Sequence, residues 1–175
     1  MRLCPARKPA NIAAWKRLAL RQLASGVSVV TTDGPAGRAG LTVSAMCSLS
    51  ADPPALLICI NRQSRAMETL RRNGVFCVNV LAIEQMDVAR IFAGQDSAPG
   101  GDKFACARWD QLVTGAPAAA DALAVFDCRI AQGMPYGSHD ILIGAVAEAR
   151  MREGQPLVYS NRAYGGVARL AMGEE

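Results

Sequence analysis

Residues 33–43 read Asp33-Gly34-Pro35-Ala36-Gly37-Arg38-Ala39-Gly40-Leu41-Thr42-Val43. This stretch decides between two fold classes. Its glycines at Gly34, Gly37 and Gly40 are spaced G-x-x-G-x-x-G, and Pro35 lies among them. The phosphate loop of a doubly wound sheet needs G-x-G-x-x-G opening a helix, because the pyrophosphate rests on free helix amides. Here Leu41, Thr42 and Val43 follow instead, and β-branched residues favour a strand. The stretch predicts a hairpin turn between two extended segments, 27–32 and 40–50.

The pattern on either side agrees. Residues 12–24 place Ile12, Trp15, Leu18 and Leu23 on one helical face and Lys16, Arg17 and Arg21 on another, and Ser25-Gly26 stops the helix. Asp52-Pro53-Pro54 breaks the segment 40–50. Further strands are predicted at 55–61, 75–81, 124–132, 141–150 and 157–159. A helix capped by Ser64 runs through Arg72 and ends at Asn73-Gly74, and another spans 84–92. Residues 94–103 form a Gly-rich loop, and 112–122 read as a small-residue connection. Six or seven strands with three helices do not alternate as βαβ units. An antiparallel barrel or Greek key with helical insertions fits them.

Composition narrows the function. The 175 residues are read as a mobile tail, 1–11, followed by a single domain, 12–175. Net charge is +4, yet Arg2, Arg7, Lys8, Lys16, Arg17 and Arg21 all precede Asp33, the first acid. The remainder is slightly acidic, which excludes a basic nucleic-acid module. No apolar run is long enough to span a bilayer. The six cysteines form no C-x-x-C pair, and His139 is the only histidine. Free thiols in a reducing cytoplasm are expected, and no metal site. With one His and scattered acids, hydrolytic acid–base chemistry lacks candidates, so an enzyme of this composition leaves the chemistry to an organic cofactor.

Three segments carry candidate chemistry. Residues 40–50 are extended but rich in hydroxyls and small side chains. Such a surface lets a flat ring approach the backbone; the alternative is an edge strand with Ser and Thr on its wet face. Asn61-Arg62-Gln63-Ser64-Arg65 opens a helix, where free amides and two arginines can cradle a phosphate; the alternative is a capped helix with surface arginines. His139 follows Tyr136-Gly137-Ser138 and starts a strand, either as a surface residue or as a platform beside a cofactor.

These residues, in this order, resemble the short-chain flavin reductases that serve two-component flavin-dependent monooxygenases. The matching stretches are Gly26 to Thr32, Gly40 to Ala45 with Cys47 to Ser50, and Pro53-Pro54 with Cys59 to Arg62 and Ser64. Cys77 to Leu81, Phe92-Ala93-Gly94, Phe104, Gly137-Ser138-His139 and Pro156 to Tyr159 with Tyr164 follow. The chain is most similar to reductases paired with hydroxyphenylacetate, chlorophenol and pyrimidine monooxygenases. The resemblance implies a mostly β chain folded as a split β-barrel homodimer. It implies hydride transfer from NADH, or less often NADPH, to FMN or FAD, with reduced flavin diffusing to a monooxygenase. By motif, Thr42, Val43, Ser44 and Ala45 would line the flavin ring and Ser48 and Ser50 would extend that surface. Ile60, Asn61, Arg62, Ser64 and Arg65 would serve the ribityl phosphate. Phe92, Ala93 and Gly94 would border the flavin, and His139 and Tyr164 the nicotinamide. Gly165 follows Tyr164 where many relatives carry His. A corrinoid reductase on the same barrel and a non-catalytic flavin carrier are the alternatives.

Overall fold

The computed structural model describes residues 12–168; the tail 1–11 and Cys4 lie outside them. The strands are β1 (Ser25–Gly26), β2 (Ser28–Thr32), β3 (Ala39–Val43), β4 (Met46–Ala51), β5 (Pro54–Asn61), β6 (Val75–Val80), β7 (Trp109–Gln111), β8 (Pro117–Ala119), β9 (Ala124–Tyr136), β10 (His139–Met151), β11 (Val158–Ser160) and β12 (Ala163–Gly165). The α-helices are α1 (Ile12–Leu20), α2 (Arg65–Asn73) and α3 (Met86–Phe92). The protein is mostly β, as expected. Seven strands form one sheet in the order β3-β2-β6-β9-β10-β5-β4, all pairs antiparallel.

Two expectations need correction. Residues 40–50 are not one strand: β3 ends at Val43 and β4 begins at Met46. The sheet is also not closed into a barrel, because β3 and β4 are its two unpaired edges. Only Ser44 and Ala45 join these edges in the chain, so the sheet curls until its ends meet at that corner. There the Cys59 amide donates to the Ala45 carbonyl at 2.9 Å. The corner itself belongs to neither ladder.

The turn at residues 33–38 links β2 to β3 as expected, with Thr32 opposite Ala39. α2 is capped at Ser64, whose Oγ accepts from the Ala66 amide, and ends at Gly74 with φ 69°, a left-handed position that glycine holds without strain. Ala66, Met67 and Leu70 bury its inner face against Val30, Phe76 and Val78 of the sheet. Gly144 is required by close approach, since a Cβ there would lie 2.4 Å from Phe76 Cζ.

Residues 112–122 are more than a connection. β8 pairs with β7, and Ala116, Ala118, Ala119 and Ala122 pack on Cys77 and Val125. The fully buried Asn79 fixes this flap: its Nδ2 donates to the Val29 carbonyl at 3.0 Å, and its Oδ1 accepts from the Ala119 amide at 2.6 Å. The five described cysteines are free. Burial pushes the Cys128 thiol up to about 12, and Cys77 higher still, so both are inert at neutral pH. Among the described residues, no helix is long and apolar enough to cross a membrane.

Candidate functional site

The Ser44–Ala45 corner opens onto two adjoining cavities. One, about 190 Å³, is lined by Val27, Thr42, Val43, Ser44, Ala93, Gln95, Tyr159 and Tyr164. The other, about 490 Å³, is lined by Arg17, Leu20, Arg21, Leu23, Ser25, Ser44, Ala45, Tyr159, Asn161 and Arg162. Ser44 and Tyr159 belong to both, so the two cavities adjoin across these side chains. Together they fall within the roughly 300–1,000 Å³ that small-molecule sites occupy.

The walls are positioned from four directions. The Thr42 hydroxyl donates to the Ala89 carbonyl at 2.6 Å, tying β3 to α3 and bringing Ala93 over the corner. Arg90 grips Asp96 through two bonds of 2.6 and 2.9 Å, which holds the intervening Gln95 at the rim. That grip lowers the Asp96 carboxyl from its ordinary value. Tyr159 and Tyr164 face each other across the β11–β12 ladder with ring centroids 5.1 Å apart. Burial, followed by the neighbouring Tyr159, raises the Tyr164 phenol, so it is a neutral hydroxyl at pH 7. Among the described residues, three arginines and no carboxylate line the two cavities. Small side chains beneath, an aromatic wall beside and positive charge at the mouth suit a flat ring bearing an anionic tail.

The structure disperses the other candidates. Asn61 and Arg62 border a separate cavity of about 420 Å³ with Gln63, Gly137 and Ser138. The Arg62 amide donates to the Ser138 carbonyl at 3.0 Å, fastening the β5–α2 turn to the β9–β10 hairpin. Arg65 faces a different groove, with Arg38 and Lys103. The Ser64 hydroxyl serves as the helix cap. Ser48 and Ser50 lie on an apolar groove with Met46, Leu56, Phe126 and Val146. Ile60 and Phe92 are buried core side chains; Phe92 packs edge-on to Phe104 at 5.1 Å. Gly94 is exposed beyond α3, its φ of 72° ending that helix. His139 opens β10 opposite Asn61, exposed, with Nδ1 2.9 Å from Ser138 Oγ. It lies at the edge of the Asn61–Arg62 cavity and does not line the corner.

Asp140 escaped the sequence reading. It is 1% exposed, with Oδ2 2.7 Å from Arg71 Nη2 and Oδ1 3.8 Å from Arg62 Nε, and that Oδ1 has no hydrogen-bond donor. A buried carboxylate between two arginines fixes the hairpin base against α2. Gln95, Tyr159, Asn161 and Arg162 were missed as well. An acidic residue inside an otherwise apolar strand was the available signal for Asp140; Gln95 and Arg162 had none.

Comparison with known proteins places this geometry in context. Residues 20–168 match the model of the flavin reductase like domain. The chain is 50% identical over 153 residues to "FMN reductase (NADH) RutF 1" of Methylorubrum extorquens, covering 87% of this chain and 75% of that protein. It superposes with a TM-score of 0.82 on the NADH:FAD oxidoreductase SgcE6 of Streptomyces globisporus, at 30% identity, covering 96% of this chain and all of the other. BorF, the flavin reductase component of a bacterial two-component tryptophan halogenase, gives a TM-score of 0.79 at 30% identity, covering 90% and 99% of the two chains.

Proposed function

The chain belongs to the flavin reductase like domain family, and from that premise we propose that it is an NADH-dependent flavin reductase. It transfers a hydride from NADH to FMN or FAD and supplies reduced flavin to a partner monooxygenase. The observation that carries the reading is the acid-free cavity pair at the Ser44–Ala45 corner. A flavin bound there would accept the hydride from reduced nicotinamide. The protein's part is geometric and electrostatic. Ser44, Ala45 and Ala93 leave a slot for a flat ring, and Tyr159 and Tyr164 wall its side. The arginines at the mouth attract the anionic tail of a ligand. No general base is required for this step, which accounts for a chain with a single histidine.

The reading includes a phosphate contact at Asn61–Arg62. Cys59 touches the corner at Ala45, and Asn61 lies two residues on, about 6.6 Å along the strand. Arg62→Ala is expected to weaken FMN roughly tenfold and riboflavin little, because one charge-assisted contact of about 1.5–3 kcal/mol is lost. Equal weakening of both, measured by flavin fluorescence quenching, would place the phosphate elsewhere. His139 is given a positioning role toward the nicotinamide, exerted not by contact but through its pairing with Asn61 on the strand that carries Cys59 to the Ala45 corner. His139→Ala is expected to lower kcat/KM for NADH by less than tenfold, a loss on the order of 1 kcal/mol. Unchanged NADH kinetics would leave it a surface residue.

A homodimer is part of the same proposal. The apolar groove lined by Met46, Leu56, Phe126 and Val146 lies open, and Met134, Met151 and Tyr136 beyond it are 46%, 75% and 79% exposed. Apolar surface of this kind is covered when a second copy packs on it. Sedimentation is expected to give twice the chain mass at micromolar concentration. Supply of a partner by diffusion is tested by placing this chain, NADH and FMN across a dialysis membrane from a flavin-dependent monooxygenase. Product formation on the far side supports it, and absence of product points to direct transfer.

A further inference from the structure

The β11–β12 hairpin turns through Asn161 and Arg162, with φ of 48° and 67°. A two-residue turn with both central residues left-handed favours Asn first and Gly second. Here an arginine holds the glycine position, which strains the backbone of any residue carrying a Cβ. That conformation sets Arg162 on the wall of the 490 Å³ cavity, together with Arg17 and Arg21 at the end of α1. The Asn161 amide donates to the Arg21 carbonyl at 2.8 Å, so the hairpin and the helix end are fastened to each other. Among the described residues, none of these three guanidiniums is paired with a carboxylate. Ser25 and Asn161 add polar groups to the same wall, and Ser44 and Tyr159 connect it to the ring cavity.

We propose that Arg17, Arg21 and Arg162 form an anion subsite that holds the pyrophosphate of the nicotinamide dinucleotide while its nicotinamide lies over the Ser44–Ala45 corner. The inference rests on the NADH-dependent reading and deepens it. Three cations with no carboxylate partner among the described residues converge on a cavity that adjoins the ring slot at Ser44 and Tyr159, and one of them keeps a strained backbone that glycine would relieve. Hydride transfer needs the nicotinamide within the slot, which leaves its pyrophosphate to emerge beside Tyr159, at the arginines. The flavin phosphate is assigned to the separate Asn61–Arg62 cavity, which shares no lining residue with this one, so the two anionic tails do not compete.

Arg162→Gly separates the charge from the fold, because it removes the cation and relaxes the turn together. The Arg162→Gly, Arg21→Gln double variant is expected to melt no lower than the parent and to raise KM for NADH about tenfold. Its kcat is expected to hold, and the KM difference to shrink as salt is added. The loss is expected to be confined to phosphate-bearing donors, so 1-benzyl-1,4-dihydronicotinamide reports none of it. Calorimetric titration with ADP-ribose gives a readout independent of turnover: the parent binds, and the double variant binds at least tenfold more weakly. ADP-ribose binding or NADH KM unchanged in the variant overturns the subsite. So does a loss that falls on FMN and spares NADH, since it gives the arginines to the flavin phosphate. A parent that oxidises no NADH with any flavin, yet binds ADP-ribose through these arginines, overturns the reductase reading and leaves the subsite standing.

Discussion

Ser44→Trp is expected to lower FMN affinity and NADH-driven turnover by at least about a hundredfold while leaving the melting temperature nearly unchanged. Ser44 lines both cavities of the corner and stands outside either ladder. It is exposed, so a larger side chain meets no core atoms, and surface changes of this kind stay within about 0.5 kcal/mol of stability. An indole occupies space that the flat ring needs. A cavity of about 190 Å³ cannot hold both groups. Fluorescence titration with FMN, paired with a thermal melt, checks both halves. Unaltered FMN affinity in a folded Ser44→Trp variant would remove the corner as the ring site.

The second large effect is on stability. Asn79→Ala is expected to destabilise the fold by about 3 kcal/mol or more. Asn79 is fully buried and joins three elements: its Nδ2 meets the Val29 carbonyl and Thr31 Oγ1 of β2, and its Oδ1 meets the Ala119 amide of β8. Truncation leaves buried polar groups unpaired, each worth about 1–3 kcal/mol, and opens a cavity besides. For a chain of this size that lowers Tm by roughly 6–12 °C. A drop below 2–3 °C, roughly 1 kcal/mol, would mean that the β7–β8 flap is held mainly by its alanines.

Much of this architecture was legible because its signals are local. Gly34-Pro35 and Gly37 set the turn after β2, and the Ser64 and Gly74 caps fixed both ends of α2. What was not legible depends on distant partners. Residues 40–50 carry no Pro and no turn pair, so the weak strand preference of Ser44 and Ala45 alone does not mark a break. The break exists because β3 must leave one sheet edge while β4 joins the other. Ala116 to Ala122 look like linker, since alanine has little β preference; Ala116, Ala118, Ala119 and Ala122 are buried by partners distant in the chain, Asn79 binding Ala119 and Thr31 binding Pro117.

The site shows the same division. Residues 40–50 read as a ring surface from their small side chains and hydroxyls; the structure sets Thr42, Val43, Ser44 and Ala45 of that run at one corner and Ser48 and Ser50 in a separate apolar groove. The basic run 61–65 read as one cradle. In three dimensions the first turn of α2 rotates Arg65 away from Arg62, and Ser64 is used as the cap, so the run divides between two cavities. Arg17, Arg21 and Arg162 converge from opposite ends of the chain. The buried Asp140 is tied to Arg71, on a separate element that no sequence spacing connects to it.

The most direct measurement of the central claim is anaerobic stopped-flow mixing of the purified chain and FMN with NADH, following flavin and nicotinamide absorbance together. Stoichiometric, saturable reduction of FMN is expected, at a rate proportional to protein concentration, with FAD accepted in its place and no other protein required. Flavin reduction no faster than in protein-free buffer, with FMN and FAD and with NADH and NADPH alike, would contradict that claim.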